Sequence, residues 1–276
     1  MTRVAQQTIW TRTGLVLLAV LSMCATRAEA QQTQPKGEPE QRATSRQARP
    51  EHPLAPAIRL AKESLASAQK LGNYQAELIK KEAFGRRMVT QKMRIKVRHQ
   101  PFSVYLFYHE PAKGREVIFV EGKNAGNLLA HETGFSAMLG TLKLRPTSST
   151  AMSDNKYPIT KIGIEKMTDV VIKQWEMESR YLGTEVKFFK NAKIGELACL
   201  AIETTHEKPT RQFKYKTTRL WIDKKTNLPI RVEQFGFPRD ARAKAPLVEQ
   251  YTYLRLRPNV GLTDVDFSED NPKYRF

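Results

Sequence analysis

The chain has 276 residues, a formal net charge of +18 at pH 7 and only two cysteines. This length allows one domain with a sizeable hydrophobic core, and the cysteine count excludes a small disulfide-rich fold. The positive charge is not concentrated in one tail, so it indicates affinity for anionic partners and says nothing about catalysis.

The N-terminus has the pattern of a secretory signal peptide. Arg3 and Arg12 precede an apolar run over residues 15–25, and residues 28–30 (Ala-Glu-Ala) fit the small-x-small cleavage site. The run is shorter than the ~20 apolar residues of a membrane-spanning helix. Residues 1–30 are therefore predicted to be a cleaved signal, with a retained anchor as the alternative. An extracytoplasmic, periplasmic protein meets lipid headgroups and acidic envelope proteins, so nucleic acid is not an expected partner.

Residues 31–52 are rich in Gln, Pro, Arg and Ser and are predicted to form a disordered linker. One domain over residues 53–276 follows. It begins with an amphipathic helix over residues 58–71, predicted from apolar residues at helical spacing and ended by a Gly-Asn pair. The same spacing predicts a second amphipathic helix over residues 159–177.

The rest of the domain is predicted to be an antiparallel meander, because short segments of alternating apolar and polar residues follow one another closely. The predicted strands are residues 74–84, 93–98, 102–108, 116–121, 127–132, 185–190, 197–205, 213–223, 228–235 and 248–256, with 142–145 as a short addition. Residues 146–154 are predicted to be a loop and residues 191–195 a turn.

The hairpin over residues 219–235 shows the alternation most clearly. Leu220 and Ile222 share one face of its first strand, and Ile230 and Val232 share one face of its second. A two-stranded hairpin is only marginally stable in water, so it must pair with further strands and bury this face. The predicted fold class is α+β, a curved antiparallel half-barrel of roughly ten strands wrapped on two amphipathic helices.

Several positions in this hairpin and in the C-terminal end carry a resemblance to a known family. They are Trp221, Asp223, Leu228, Pro229, Ile230, Arg231, Val232, Glu233, Tyr251, Tyr253, Asn259, Leu262 and Phe267. In this order they resemble the LolA-like outer-membrane lipoprotein carriers. Residues 52–276, particularly the Gly-Arg-Glu-Val at 114–117 and the Asn-Pro-x-Tyr at 271–274, are similar to an exported bacterial family catalogued as domain of unknown function 1571. The resemblance implies a half-closed sheet capped by helices, around an apolar cavity that holds acyl chains in the wider group.

Six residues are predicted to line such a cavity. They are Val171 and Trp175 of the second helix and Leu220, Ile222, Ile230 and Val232 of the hairpin. Ordinary core packing would place the same six side chains inside the protein, so the sequence leaves a filled core and a ligand cavity both open.

Charged residues form two further groups. The basic face Arg94, Lys96 and Arg98 follows one side of a predicted strand and is either its solvent face or a docking surface for lipid phosphates or an acidic partner. The acidic group near the C-terminus is Asp264, Asp266, Glu269 and Asp270. It lacks the glycine of a calcium-binding loop and is expected to be a solvated turn that pairs with the basic surface.

No catalytic constellation is recognisable, and neither a metal nor a cofactor is predicted. Residues 134–138 (Gly-Phe-Ser-Ala-Met) lack the final glycine of a nucleophile elbow, and no glycine-rich phosphate loop is present. The five histidines lack the spacing of a zinc site. Cys199 lies among apolar residues and is expected to be a buried thiol.

Three functions are compatible with these observations. The leading hypothesis is an exported, non-enzymatic carrier or sensor that binds a lipid, acyl or lipoprotein ligand in the apolar cavity. The alternative is a cell-envelope interaction module with a packed core, whose basic face docks on an acidic partner. A hydrolase is the third hypothesis.

Overall fold

The computed structural model describes residues 51–240 and 242–276. In this range, eleven strands form one antiparallel sheet, accompanied by helices α1 (Leu54–Gln69), α2 (Ser149–Met152) and α3 (Ile164–Glu178). The strands are β1 (Asn73–Phe84), β2 (Arg87–Arg98), β3 (Ser103–Glu110), β4 (Glu116–Val120), β5 (Leu128–His131), β6 (Thr141–Leu144), β7 (Thr184–Ile194), β8 (Leu197–His206), β9 (Thr217–Asp223), β10 (Pro229–Phe235) and β11 (Leu247–Pro258). The predicted α+β fold class is confirmed. The predicted signal peptide and nearly all of the predicted linker lie outside the described residues.

The order of the strands follows the chain except at one place. It is β6-β5-β4-β3-β2-β1-β11-β10-β9-β8-β7, so the first and last strands pair at the centre of the sheet. Leu78 of β1 stands opposite Tyr253 of β11 in this pairing. The two ends of the domain are thereby joined, and the short β6 and the long β7 become the two edges.

The sheet is curved and open. On a flat sheet β6 and β10 would lie seven strand spacings apart, about 34 Å. Both strands nevertheless contribute side chains to one cavity of about 550 Å³. The sheet therefore curls around its concave face, as the alternating apolar pattern requires when helices cover one side only.

Helices α1 and α3 cover the concave face over strands β7–β10. Small residues let α1 approach closely, since Ala57, Ala61 and Ala68 are completely buried. The helix is tied to the β9–β10 turn, where Ser64 Oγ donates to the Asn227 carbonyl at 3.0 Å. Asn227 has φ of +54°, as a residue in a tight polar turn of this kind requires.

Several local predictions are wrong: β2 begins at Arg87 rather than at residue 93, and β9 begins at Thr217 rather than at residue 213. The second helix begins at Ile164 rather than at residue 159, because residues 159–161 form a separate 3₁₀ turn and Gly163 adopts φ of +125°. Strand β7 continues to Ile194 through a register shift. The turn therefore comprises residues 195 and 196 rather than the predicted 191–195. The predicted loop over 146–154 contains the short helix α2.

Among the described residues, no helix has both the length and the apolar character needed to span a membrane.

Candidate functional site

The cavity lies between the concave face of strands β1–β6 and β10–β11 and a covering segment over residues 146–163 together with α3. Its volume of about 550 Å³ is within the range of ~300–1,000 Å³ typical of small-molecule sites. The two long helices cover the other half of the sheet. Over the cavity, only one side of α3 and the short turns and irregular chain of residues 146–163 cover the concave face, and they do not fill it.

Most of the cavity wall is apolar. The sheet contributes Met93, Leu106, Val117, Leu128, Ala130 and Leu144, and the cover contributes Ala151, Ile159, Ile162, Met167, Val170 and Val171. Six of the lining residues are exposed to solvent: Thr150, Ser153, Tyr157 and Lys161 of the covering segment, and Val170 and Lys173 of α3. The cavity therefore opens to the outside along the covering segment and α3, and an apolar molecule could enter without unfolding of the sheet.

The structure places two of the six predicted cavity residues, Val171 and Val232, in this wall. Trp175, Leu220 and Ile222 instead pack beneath α1, in a cluster that Val171 and Val232 also join. Trp175 is fully buried, and its indole N–H donates to Thr204 Oγ1 at 3.2 Å.

Ile230 lies outside the cavity wall as well, in the main core. The reason for these placements is the position of α1, which fills the concave face over the hairpin. The open volume lies on the other arm of the sheet, where the sequence prediction did not place it.

One end of the cavity is polar, and sequence reasoning missed it. Lys80 and Glu82 of β1 line the cavity and are almost completely buried, with the Lys80 ammonium 3.3 Å from the Glu82 carboxylate. Burial lowers the pKa of Lys80, and the neighbouring Glu82 opposes this shift. The alternation in β1 contained the signal, because a period of two puts both residues on the face of Tyr74 and Leu78.

A second buried carboxylate, Glu249 of β11, stands directly opposite Glu82. Tyrosine hydroxyls contact both carboxylates. Tyr215 donates to Glu249 Oε1. Tyr251 donates to Glu82, and its hydroxyl lies 3.2 Å from Glu249 Oε2. Tyr157 completes the group at 3.4 Å, and burial followed by the nearby Glu249 raises the pKa of Tyr157 to about 12. The hydroxyls therefore remain protonated donors, which satisfies two carboxyl groups that face each other across neighbouring strands.

The covering segment is attached to the sheet at this polar end. The backbone N–H of Lys156 donates to Glu82 at 3.0 Å, and Asp154 pairs with Arg87 at 2.9 Å. Lys80 also donates to Asn155 Oδ1. At the other end of the segment the Gly163 N–H donates to the Tyr253 hydroxyl at 3.2 Å, and in between the apolar side chains Ala151, Ile159 and Ile162 pack on the sheet.

The predicted basic face is largely occupied by the C-terminal tail, residues 259–276. Lys96 contacts Asp266 at 2.6 Å, and Arg98 contacts Asp264 at 2.8 Å. Arg94 lies over the ring of Phe107 at 5.2 Å and is exposed. The acidic group thus supplies intramolecular partners for Lys96 and Arg98, which leaves Arg94 alone of the three available to a docking partner.

The other candidate groups do not assemble into a catalytic or metal site in the described part of the chain. No cluster of three or more His, Cys, Asp or Glu residues suits a metal ion there. Cys199 is buried, and burial raises the pKa of its thiol. Ser136 lies in an exposed 3₁₀ turn and, among the described contacts, has no hydrogen bond to a histidine. His99 contacts Glu165 at 3.1 Å rather than other histidines.

A family model described as a protein of unknown function, DUF1571, matches residues 71–276. The chain belongs to the DUF1571 family. The family suggested by the sequence motifs is thus confirmed. The DUF1571 match contains the whole sheet, the covering segment and α3, and it begins just after α1. No curated protein matches this DUF1571 chain.

Solved structures show likenesses at low identity. A DUF1329 family protein from Desulfovibrio piger is 13% identical, with a TM-score of 0.37 over 79% of this chain and 98% of that one. A domain assigned to outer membrane lipoprotein sorting from Vibrio parahaemolyticus is 14% identical, with a TM-score of 0.35 over 76% and 95%. Lipoprotein LppX from Mycobacterium tuberculosis is 13% identical, with a TM-score of 0.43 over 76% and 98%. At TM-scores below 0.5, the ligands of these proteins are not transferred to this DUF1571 chain.

Proposed function

We propose that the protein is an exported, non-enzymatic carrier or sensor that binds one lipid or acyl-chain ligand in its cavity. The single observation that carries this proposal is the cavity itself, about 550 Å³ and walled mainly by aliphatic side chains. An alkyl chain placed against this wall would be removed from water together with the apolar side chains that it covers, which favours binding.

The two ends of the cavity suggest how an amphiphile would lie. The aliphatic wall of strands β2–β6 suits the tail, because burial of each CH₂ group contributes about 0.8 kcal/mol. Lys80, Glu82 and Glu249 at the polar end suit a headgroup that can donate and accept hydrogen bonds. A headgroup placed there would contact the attachment point of the covering segment.

The covering segment and α3 would act as the movable part. The exposed lining residues lie on the covering segment and on α3, whereas the opposite wall belongs to paired strands that cannot move independently. A ligand therefore enters on the side of the cover, and any widening of the opening displaces the cover and leaves the sheet intact. Localisation outside the cytoplasm rests on the predicted signal peptide.

Uptake of a fluorescent fatty-acyl probe by delipidated protein tests this function. We expect saturable binding with one probe per chain. Ala130→Phe should reduce the affinity at least tenfold, because Ala130 lines the cavity and the added ring occupies its volume. Ala83→Phe is the matched control, since Ala83 is half-exposed on the opposite face of β1 and should leave binding unchanged.

Equal uptake by Ala130→Phe and by the unchanged protein would place the probe elsewhere and contradict the proposed site. Absence of uptake by the unchanged protein would contradict acyl-chain binding. The alternative of an interaction module docking through Arg94, Lys96 and Arg98 is less favoured, because the C-terminal tail already pairs with two of these residues.

A further inference from the structure

The connection between β5 and β6 carries the two most exposed large apolar side chains of its region. It contains a 3₁₀ turn, Gly134–Leu139, in which Phe135 is 90% exposed and Met138 is 80% exposed. Gly134 and Gly140 border the turn, both with φ of +65°. Burial of such side chains is favourable, so their full exposure on a projecting turn indicates a contact with something outside the chain.

Basic side chains follow the edge strand that leads away from this turn, since Thr141 pairs with His131 beside the turn and Leu144 pairs with Leu128 at the far end. Lys143 and Arg145 are exposed on β6 and just after it, on the side opposite the partly buried Leu142 and Leu144. None of the carboxylates in the described part of the chain lies within ion-pair distance of Lys143 or Arg145.

The β3–β4 turn and the C-terminal tail bring two more cations to the base of the Gly134–Leu139 turn. A Cβ atom on Gly114 would lie 3.2 Å from the methyl carbon of Thr133 and 3.5 Å from Arg275 Nη1. Lys113 and Arg275 are both exposed. The nearby acid Glu132 is neutralised by Arg115 at 2.7 Å. The turn is therefore an apolar tip with Lys113 and Arg275 beside its base and with Lys143 and Arg145 along the edge strand behind it.

We infer that this turn is a docking site for an anionic phospholipid bilayer, with Phe135 and Met138 inserted below the headgroups and the cations against the phosphates. A bilayer offers negative charge directly above hydrocarbon, which is the order in which this tip presents cations and apolar groups. A second copy of the chain would bring the same four cations face to face. Self-association through this edge is therefore disfavoured by charge.

The predicted docking is reversible. Two apolar side chains bind a bilayer only weakly, and lasting attachment needs a second contribution such as a basic patch. Both contributions are small here and one is electrostatic, so salt should release the protein. The turn follows directly on Glu132, and β6 continues to Leu144, both of which line the cavity. The docked edge of the sheet is thus also a wall of the cavity.

Flotation with vesicles tests this inference. The vesicles contain either phosphatidylcholine alone or a mixture with about one third phosphatidylglycerol, and the proteins share one N-terminal sequence. We expect the unchanged protein to bind the mixed vesicles. The double variant Phe135→Ser/Met138→Ser should bind with a partition coefficient at least tenfold lower. Leu182→Ser is the matched control. Leu182 is 88% exposed but lies next to β7, at the sheet edge opposite β6, so vesicle binding by this variant should stay within twofold of the unchanged protein.

Three results would overturn the inference. They are equal binding of the mixed vesicles by the double variant and the unchanged protein, equal binding to both kinds of vesicle, and loss of a dimer in the double variant measured by light scattering without lipid. Circular dichroism checks that the variants remain folded. The experiment reports contact with a bilayer whether or not the cavity holds a ligand, so its outcome is independent of the proposed function.

Discussion

Glu178, at the C-terminal end of α3, is fully buried. Among the described residues, no lysine or arginine forms an ion pair with its carboxylate. Its Oε1 accepts from Gln174 at 2.9 Å, and its Oε2 lies 3.6 Å from Nε2 of the buried His206. His206 Nδ1 contacts the Tyr215 carbonyl at 2.9 Å. Because a carbonyl only accepts, Nδ1 carries the proton, and Nε2 of the neutral imidazole accepts from the Thr184 hydroxyl at 3.1 Å beside Glu178. Burial raises the pKa of Glu178 to about 7 and lowers the pKa of His206.

We therefore expect Glu178→Gln to change the pH dependence of stability. Folding binds a proton at Glu178 between pH 4.5 and about 7, so this residue makes the free energy of unfolding fall as the pH rises through that range. Glutamine resembles the protonated carboxyl and does not titrate. The variant should gain roughly 3 kcal/mol relative to the unchanged protein between pH 4 and pH 8, at about 1.4 kcal/mol per pH unit.

Urea unfolding of both proteins at a series of pH values measures this difference. Titrating groups that do not contact Glu178 are common to both proteins and cancel in the comparison, whereas His206, at 3.6 Å, contributes to the difference. A difference in unfolding free energy that stays constant from pH 4 to pH 8 would show that the pKa of Glu178 is the same in the folded and the unfolded protein, and would contradict the prediction.

The sequence contained more information about single residues than its apolar pattern conveys. Val171, Trp175 and Glu178 follow helical spacing, which places the carboxylate on the buried face of α3. The alternation in β1 likewise places Lys80 and Glu82 inward. What the sequence could not show is which partners would satisfy these groups, since those partners come from β8 and β11 and depend on strand register.

At the scale of elements, the C-terminal tail acts as a second layer on the convex face of the sheet. Phe267 is buried with Tyr105, Ile118, Val120 and Leu129. The tail extends this cluster further: Tyr274 stacks on Tyr105 with ring centroids 4.0 Å apart. Strands β3–β5 carry apolar side chains on both faces. Without the tail, those on the convex face would be exposed to solvent.

We expect Phe267→Ala to destabilise the protein by about 3 kcal/mol or more, because it removes a buried ring and leaves a cavity. Arg98 lies 5.0 Å from this ring and would lose that contact as well. Val265→Ala in the same 3₁₀ turn is the control, since Val265 is 57% exposed and should change stability by less than about 0.5 kcal/mol. Denaturant melts of the two variants decide the point, and similar losses in both would show that the tail is only loosely attached.

The strands could be predicted well and the start of α3 could not, for a physical reason. A strand is indicated by the alternation of apolar and polar residues within its own sequence. In contrast, α3 has no N-cap side chain that would mark its start. Its first N–H groups donate to the hydroxyls of Tyr253 and Tyr74, at 3.2 Å from Gly163 and 3.0 Å from Ile164. A helix that is capped by distant strands gives no start signal in its own sequence.

At the scale of the whole molecule, the cavity results from an imbalance between sheet and helix. Eleven strands provide a broad concave face, and within the described residues only α1 and α3 are long enough to cover it. They fill the arm formed by β7–β10 and leave the other arm beneath irregular chain. The sequence predicted two helices on a curved sheet, but residue patterns alone do not determine which arm the helices occupy.

Native mass spectrometry of protein purified from its own cell envelope tests the central claim most directly. We expect a complex of one chain with one lipid-sized adduct, lost on denaturation and diminished in Ala130→Phe, whose added ring would occupy the cavity. The bare chain mass alone, in a preparation that also fails to take up an acyl probe, would show that the cavity remains empty and that the protein is not a lipid carrier.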